Sequence, residues 1–316
     1  MTEGTAVRPR WRTLDAIVLL DKPAGLGSTP ALQRVRRLLR AEKAGHAGTL
    51  DPMATGMLPL CFGQATKACG ALLGSGKSYR ARLRLGARTD TGDADGQIVE
   101  TGPVPHLDPP RVAAVLAGLV GTREQLPPMY SALKHGGRPL YELARRGEVV
   151  ERATRPVTIR RLEALDLGDG ELVFEVDCTK GTYVRVLGEE IAAALGTVGH
   201  LAALRRLSVE PFDPESMVTL EDVERWAAGA AEADRPPWLL PVDAAFGGLV
   251  RLDLDDRQSR SLRQGRVVAV PGRPEAGPLR AYEAGGGFLG LVDPAPGDCI
   301  RVLRLFVPGD CGSSAP

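Results

Sequence analysis

No run of apolar residues in this chain approaches the length of a membrane-spanning helix. Ala16 to Leu20 is among the longest, and the Arg-bearing N-terminus lacks the apolar core of a secretion signal. The cytoplasm is the expected compartment. Cysteine is sparse: Cys61, Cys69, Cys178, Cys299 and Cys311 are odd in number and nowhere spaced Cys-x-x-Cys, which argues against a disulfide framework and against a zinc site. Histidine is scarcer still. His46, His106, His135 and His200 are scattered, without the close pairing on one helix that metal chemistry commonly uses, so no metal is expected.

What is present fits a globular protein of 316 residues with 43% hydrophobic content, long enough for two domains. The net charge of +1 conceals an asymmetry. Residues 1–160 carry 24 Lys and Arg against 14 Asp and Glu, and residues 161–316 carry 16 against 25. A basic half suggests an acidic partner, of which nucleic acid is the commonest. Of the 40 basic residues 34 are arginine, which with the abundant Ala, Gly and Pro fits a GC-rich genome as well as phosphate binding.

Periodicity gives an order of elements. Ala16 to Leu20 reads as a strand, Thr29-Pro30 opens an amphipathic helix to Leu39, Met57 to Cys61 reads as a strand and Gln64 to Leu73 as a helix. Tyr79 to Leu85 alternates, which places Tyr79, Ala81, Leu83 and Leu85 inward and Arg80, Arg82 and Arg84 outward. Helices are expected from Asp108-Pro109 to Leu119, from Pro139 to Arg146, up to Leu195, and from Thr219 to Ala228. Val157 to Leu167 and Glu171 to Cys178 form a strand pair turning at Asp169-Gly170, and Leu201 to Val209 is strand-like. After an Ala/Pro-rich linker at 229–240, short alternating strands with many Gly and Pro turns and one helix near Asp255 to Arg263 describe a small β-barrel.

Two familiar patterns fail in context. Ala71 to Ser78 approximates a phosphate loop, but such a loop follows a strand and opens a helix, and here the order is reversed. Asp90 to Gly96 mimics a calcium loop, yet aligning Gly96 with its sixth position puts Gly102 where a bidentate Glu is needed, so a hydrogen-bonded turn is expected. The long polar segment from Gln125 to Arg138 has the character of a functional excursion, with Lys134, Arg138, Arg145 and Arg146 able to face phosphate or water.

Gly45-His46-Ala47-Gly48-Thr49-Leu50-Asp51-Pro52-Met53-Ala54-Thr55-Gly56 is the most distinctive stretch. One carboxylate sits among small residues with no acid within eight positions, on a backbone shaped by Gly48, Gly56 and Pro52. The same residues also read as a plain Asp-Pro turn. Arg185, in or near the first turn of its helix, is disfavoured there by the helix dipole and calls for an acidic partner, with Asp51 the candidate.

Taken in order, Asp21-Lys22-Pro23-x-Gly25, the Gly45 to Gly56 stretch, Lys77-x-Tyr79, Thr89-Asp90-Thr91, Pro128-x-Tyr130-Ser131-Ala132-x-Lys134 and Lys180-Gly181-Thr182-Tyr183-x-Arg185 resemble the bacterial tRNA pseudouridine-55 synthase family, the TruB type, over nearly the whole chain. The resemblance implies an α+β fold: a catalytic domain on a mixed, largely antiparallel sheet, followed by a small C-terminal β-barrel of PUA-like type. It implies a flexible tail at 1–13, the catalytic domain at 14–240 with an inserted RNA-gripping segment at about 121–153, the PUA-like domain at 245–308 and a disordered tail at 309–316. The implied activity is isomerisation of uridine-55 in the tRNA T loop without cofactor, the alternative being a tRNA-binding or folding module with incidental or lost catalysis. Asp51 would be the nucleophile, Arg185 its partner and Tyr79 the ring that stacks on uracil and handles the C5 proton. His46 would take the place of the flipped base, and Tyr183 and Leu204 would contact it. Lys22, Lys134, Arg138, Arg145 and the arginines around Arg34 would face tRNA phosphates. A monomer is expected, with no membrane and no protein partner.

Overall fold

The computed structural model describes residues 11–229 and 235–306. Most of the two expected tails and the middle of the 229–240 linker lie outside the described residues.

In chain order the first unit contains β1 (Ala16–Lys22), α1 (Ser28–Leu38), β2 (Ala44–His46), β3 (Thr55–Phe62), α2 (Cys69–Gly74), β4 (Lys77–Leu85), β5 (Ala87–Thr89), β6 (Ile98–Thr101), α3 (Pro109–Gly118), β7 (Gly121–Gln125), β8 (Lys134–His135), β9 (Arg138–Pro139), α4 (Leu140–Ala144), β10 (Arg155–Gly168), β11 (Glu171–Cys178), α5 (Val184–Ala194), β12 (Gly199–Val209), β13 (Val218–Thr219), α6 (Leu220–Gly229) and β14 (Leu239–Leu240). The second contains β15 (Arg251–Asp253), α7 (Asp256–Arg263), β16 (Val268–Ala269), β17 (Leu279–Tyr282), β18 (Phe288–Ala295) and β19 (Cys299–Leu305).

The main sheet runs β13-β1-β3-β12-β4-β11-β10-β7, with β14 on β1 and β2 on β3. Only β1/β13 and β3/β12 are parallel, so the fold is α+β on a mixed, largely antiparallel sheet. The C-terminal strands form a separate curled sheet ordered β15-β17-β18-β19-β16. Sequence reading missed β17 among its Gly/Pro neighbours, and it placed Gly121–Gln125 in an inserted segment. Those five residues pair with β10 as an edge of the main sheet, so the excursion starts after Gln125.

Burial follows strand position. On β1, Val18 and Leu20 pack with Leu32 and Val35 of α1, while Ile17 and Leu19 pack with Leu72, Phe246 and Phe306 on the other side. A strand covered on both faces needs a continuous apolar run, and β1 has one. By contrast β4 alternates buried and exposed, because helices cover one face there and water the other. The 71–78 segment is a helix end running into β4: Lys77 Nζ donates to the carbonyls of Leu72, Leu73 and Ser75 at 3.3, 3.3 and 2.7 Å, filling the space a phosphate would need.

Candidate active site

The Asp51 loop connects β2 to β3 and is tied down from several sides. Ser28 Oγ accepts from the Leu50 amide at 2.8 Å and donates to the Leu50 carbonyl at 3.1 Å, and the Gly25 amide donates to the Pro52 carbonyl at 2.8 Å. Two glycines set its ends. Gly48 sits at φ +105°, and Gly56 at φ +98° lies so close to β12 that a Cβ there would come within 2.1 Å of the Arg206 carbonyl oxygen.

The loop delivers Asp51 to Arg185. Arg185 Nε lies 2.9 Å from Asp51 Oδ2, and Nη2 donates to Asp51 Oδ1 at 3.3 Å, a two-pronged grip. The same guanidinium donates through Nη1 to the Thr91 carbonyl and through Nη2 to the Tyr130 carbonyl, both at 2.6 Å. A second carboxylate is present that sequence reading did not assign: Asp93 Oδ2 lies 3.5 Å from Arg185 Nε. The isolation of Asp51 in sequence is therefore not isolation in space. Asp93 belongs to the turn that resembled a calcium loop, where its Oδ1 accepts from Thr91 Oγ1 at 2.7 Å and from the Asp95 amide at 3.1 Å. With two carboxylates and two carbonyls around it, Arg185 is held at the start of α5 despite the helix dipole.

Burial pushes the Asp51 carboxyl above its ordinary value, Arg185 opposes that shift, and Asp93 adds to it. Tyr79 is buried on the inner face of β4; burial pushes its phenol up, while the Arg206 guanidinium pulls it down by charge and hydrogen bonding. His46 stands on β2, its Nδ1 buried without a hydrogen-bond partner among the described residues. Burial and then Arg206 hold its pKa below the usual imidazole value, so the ring is neutral at pH 7. Tyr183 is the N-cap of α5, fixed by Gln125, which donates to its carbonyl at 3.2 Å and accepts from its amide at 2.7 Å. Leu204 lies beside Ala81 on the next strand and, with Met53, Asp95 and Arg205, lines a cleft of about 590 Å³. Asp51, Tyr79 and Arg185 do not line this cleft, which adjoins their loop through Met53.

One phosphate assignment needs correction. Lys22 is fully buried, its Nζ donating to the carbonyls of Leu26, Pro23 and Pro52 at 2.6, 2.9 and 3.3 Å, so it braces the Asp51 loop and cannot reach phosphate. Arg34 is half exposed and pairs with Glu224, its Nε donating to Oε1 at 2.6 Å. Lys134, Arg138 and Arg145 are exposed on the β8/β9 hairpin and the end of α4, and Arg145 lies 5.6 Å from the centre of the Tyr141 ring. Arg206 was missed altogether. In the Leu204-Arg205-Arg206-Leu207 run, strand alternation puts Arg206 on the same face as Leu204, and that was the available signal.

Among the described residues no cluster of three or more His, Cys, Asp and Glu is placed to hold a metal ion, and no helix is long and apolar enough to cross a membrane.

A ten-stranded mixed sheet that carries an Asp–Arg pair on a glycine-shaped loop, with a buried tyrosine on its central strand, defines the class as a pseudouridine synthase. Residues 36–184 match the TruB family pseudouridylate synthase N-terminal domain, 185–247 the tRNA pseudouridylate synthase B C-terminal domain and 251–306 the pseudouridine synthase II TruB C-terminal region. The chain is 50% identical over 305 residues to the tRNA pseudouridine synthase B of Aromatoleum aromaticum, covering 96% of this chain and 97% of that one. It is 48% identical over 278 residues to the enzyme of the same name from Nitrosococcus oceani, covering 88% and 90%. Among solved structures, a Cbf5-Nop10-Gar1 complex superposes with a TM-score of 0.72 at 25% identity, covering 94% of this chain and 86% of that one. The chain belongs to the TruB family and is an isomerase of the pseudouridine synthase type.

Proposed function

We propose that this enzyme converts uridine-55 in the T loop of tRNA to pseudouridine, with Asp51 as the nucleophile. The observation that carries the reading is the two-pronged Arg185 grip on Asp51 at 2.9 and 3.3 Å. It keeps the carboxylate charged and aimed although burial favours the neutral acid. A carboxylate already ionised needs no base to activate it, which suits covalent attack on a nucleotide. The relatives named tRNA pseudouridine synthase B support tRNA as the substrate.

The target base must leave its stack to reach Asp51, at a cost of a few kcal/mol. His46, neutral and with Nδ1 unpartnered, is suited to take the vacated position. Tyr79 stacks on the uracil and its hydroxyl handles the C5 proton, while Tyr183 and Leu204 contact the flipped nucleotide. Lys134, Arg138 and Arg145 meet the phosphate backbone from the arm, and the Tyr130 carbonyl couples that arm to Arg185.

Tritium release from tRNA labelled at uridine C5 tests the reading. The native chain releases tritium without added metal or nucleotide, and Asp51→Asn binds tRNA but lowers the rate at least about 10³-fold. Turnover near the native rate in Asp51→Asn removes Asp51 as nucleophile. Binding without turnover by the native chain favours the tRNA-folding alternative.

A further inference from the structure

Besides Arg185, which Asp51 and Asp93 hold, three cations are buried within the catalytic unit: Lys22 at 0%, Lys77 at 9% and Arg206 at 1% exposure. Among the described residues none of them has a carboxylate within 4.0 Å. A buried charge without a counter-charge is costly, and main-chain carbonyls offset only part of that cost. The two lysines relieve it by giving up affinity for their protons, both lowered to about 8. Arginine cannot do so. Its charge is permanent, so the interior of this site holds, besides the carboxylate-paired Arg185, one cation that no pH in the working range removes.

Its place is defined by the sheet. Arg206 is the direct cross-strand partner of Tyr79 across β12 and β4, on the same inner face, and the parallel partner of Gly56 across β12 and β3. Irregularities in register between Leu201 and Ala203 and between Arg206 and Ser208 bracket this segment. Arg206 Nε donates to the Met57 carbonyl at 2.6 Å and Nη2 to the Gly48 carbonyl at 3.3 Å, one on each side of Asp51 in the chain. Tyr79 is thus its neighbour on the inner face, and the Arg206 charge pulls the Tyr79 phenol down against the larger upward push of burial.

We propose that Arg206 is a positioning residue for the isomerisation that acts through Tyr79, its fixed charge stabilising the phenolate through which the uracil's proton passes. This rests on the reading of Tyr79 as the group that handles the C5 proton. As the Asp51 carboxylate bonds to C1′, the bond between N1 and C1′ breaks with its electron pair staying on N1, and the Tyr79 hydroxyl gives its proton to that nitrogen. C5 then bonds to C1′ with the pair of the C5–C6 double bond as the Asp51 carboxylate leaves with the pair of its bond to C1′, after which the phenolate takes the proton from C5, the electron pair of that C–H bond returns to the ring, and the phenol is restored. Protons balance without an external base, and the transient anion forms in a buried site where a fixed cation is most effective.

The test uses the full chain and unmodified tRNA in single turnover. Arg206→Gln keeps an amide nitrogen at the position of Nε, able to donate to the Met57 carbonyl, but removes the charge. It is expected to lower the saturating rate about 100-fold with tRNA affinity within about threefold of native, the pattern of an interaction made in the transition state. Arg206→Lys, which restores charge, is expected to recover the rate to within about tenfold of native. In a Tyr79→Phe background, Arg206→Gln is expected to change the rate less than about threefold, because the two residues act as one unit. A fall that multiplies with that of Tyr79→Phe, or a loss of tRNA affinity at unchanged rate, overturns the proposal. If Arg206→Gln fails to fold, Arg206→Lys in the two backgrounds decides by the same non-additivity. Native rate in Tyr79→Phe overturns this proposal and leaves Asp51 as nucleophile standing, whereas turnover in Asp51→Asn removes only the nucleophile.

Discussion

Beneath the Asp51 loop, Lys22, Lys77 and Arg206 are buried against main-chain carbonyls, whereas on the outer face of the same sheet arginines stand in water beside carboxylates. Arg80 lies 2.7 Å from Glu175, Arg84 3.2 Å from Glu171 and Arg161 2.6 Å from Asp177. Tyr79 and Arg80 are consecutive on β4, yet one belongs to the first setting and the other to the second. The difference teaches that the excess of basic residues in the N-terminal half is not one phosphate-binding surface. Part of it braces a loop, part is spent on neighbouring acids, and the exposed cations of the 134–146 arm remain for a polyanion.

Substitutions at the two settings should separate by size. The largest effect is expected at Arg185→Met, which leaves Asp51 and Asp93 facing each other without their cation. The single-turnover rate should fall about 10³-fold, because Asp51 loses the cation that keeps it charged and aimed. The pH profile is an independent reading of the same pair. Attack needs the carboxylate, so the native rate should fall on the acid side at a pH above 3.8, the ordinary aspartate value, because the Asp51 pKa is raised. In Arg185→Met that acid limb should move to higher pH still.

Next in size is Lys22→Met, expected to cost about 2–4 kcal/mol in urea unfolding because it strands buried carbonyls. The lysines also predict a pH dependence of stability. With folded values of about 8 against an ordinary 10.5, the unfolded chain binds more protons across that window, so stability rises with pH from about 8 to 10.5. Lys22→Met should flatten that rise; an unchanged slope would break the contrast between floor and surface.

Smaller again, Lys134→Glu and Arg138→Glu should each weaken tRNA binding about tenfold and reduce the salt dependence of affinity by about one phosphate contact, with the saturating rate unchanged. Smallest is Arg80→Ala. An exposed ion pair is worth about 0–1 kcal/mol, so its unfolding free energy should barely move, and a larger loss would mean the outer face carries stability after all.

Periodicity made most of this fold legible. The five-residue apolar run of β1 and the strict alternation of β4 report directly whether one or two faces are covered. Burial of charge was much less legible. Lys22 continues the β1 alternation on the face of Val18 and Leu20, but its charge suggested a tRNA phosphate, and only the carbonyls gathered by the 23–26 turn and Pro52 make its burial tolerable. Asp93 was invisible for a related reason: its turn was recognisable locally, while its contact with Arg185 depends on α5 packing against a segment 92 residues earlier in the chain. Short strands such as β17 lie among Gly and Pro and are fixed by their neighbours rather than by their own residues.

Gly56 closes one evolutionary route. At that position a single methyl group would collide with the Arg206 carbonyl at 2.1 Å. An alanine there, one nucleotide change from any glycine codon, would have to push β3 away from β12 and so part the Asp51 loop from the strand that carries Leu204 and Arg206. A lineage keeping this geometry can vary the arm, the outer arginines and the tails, but it cannot pass through the smallest step at residue 56.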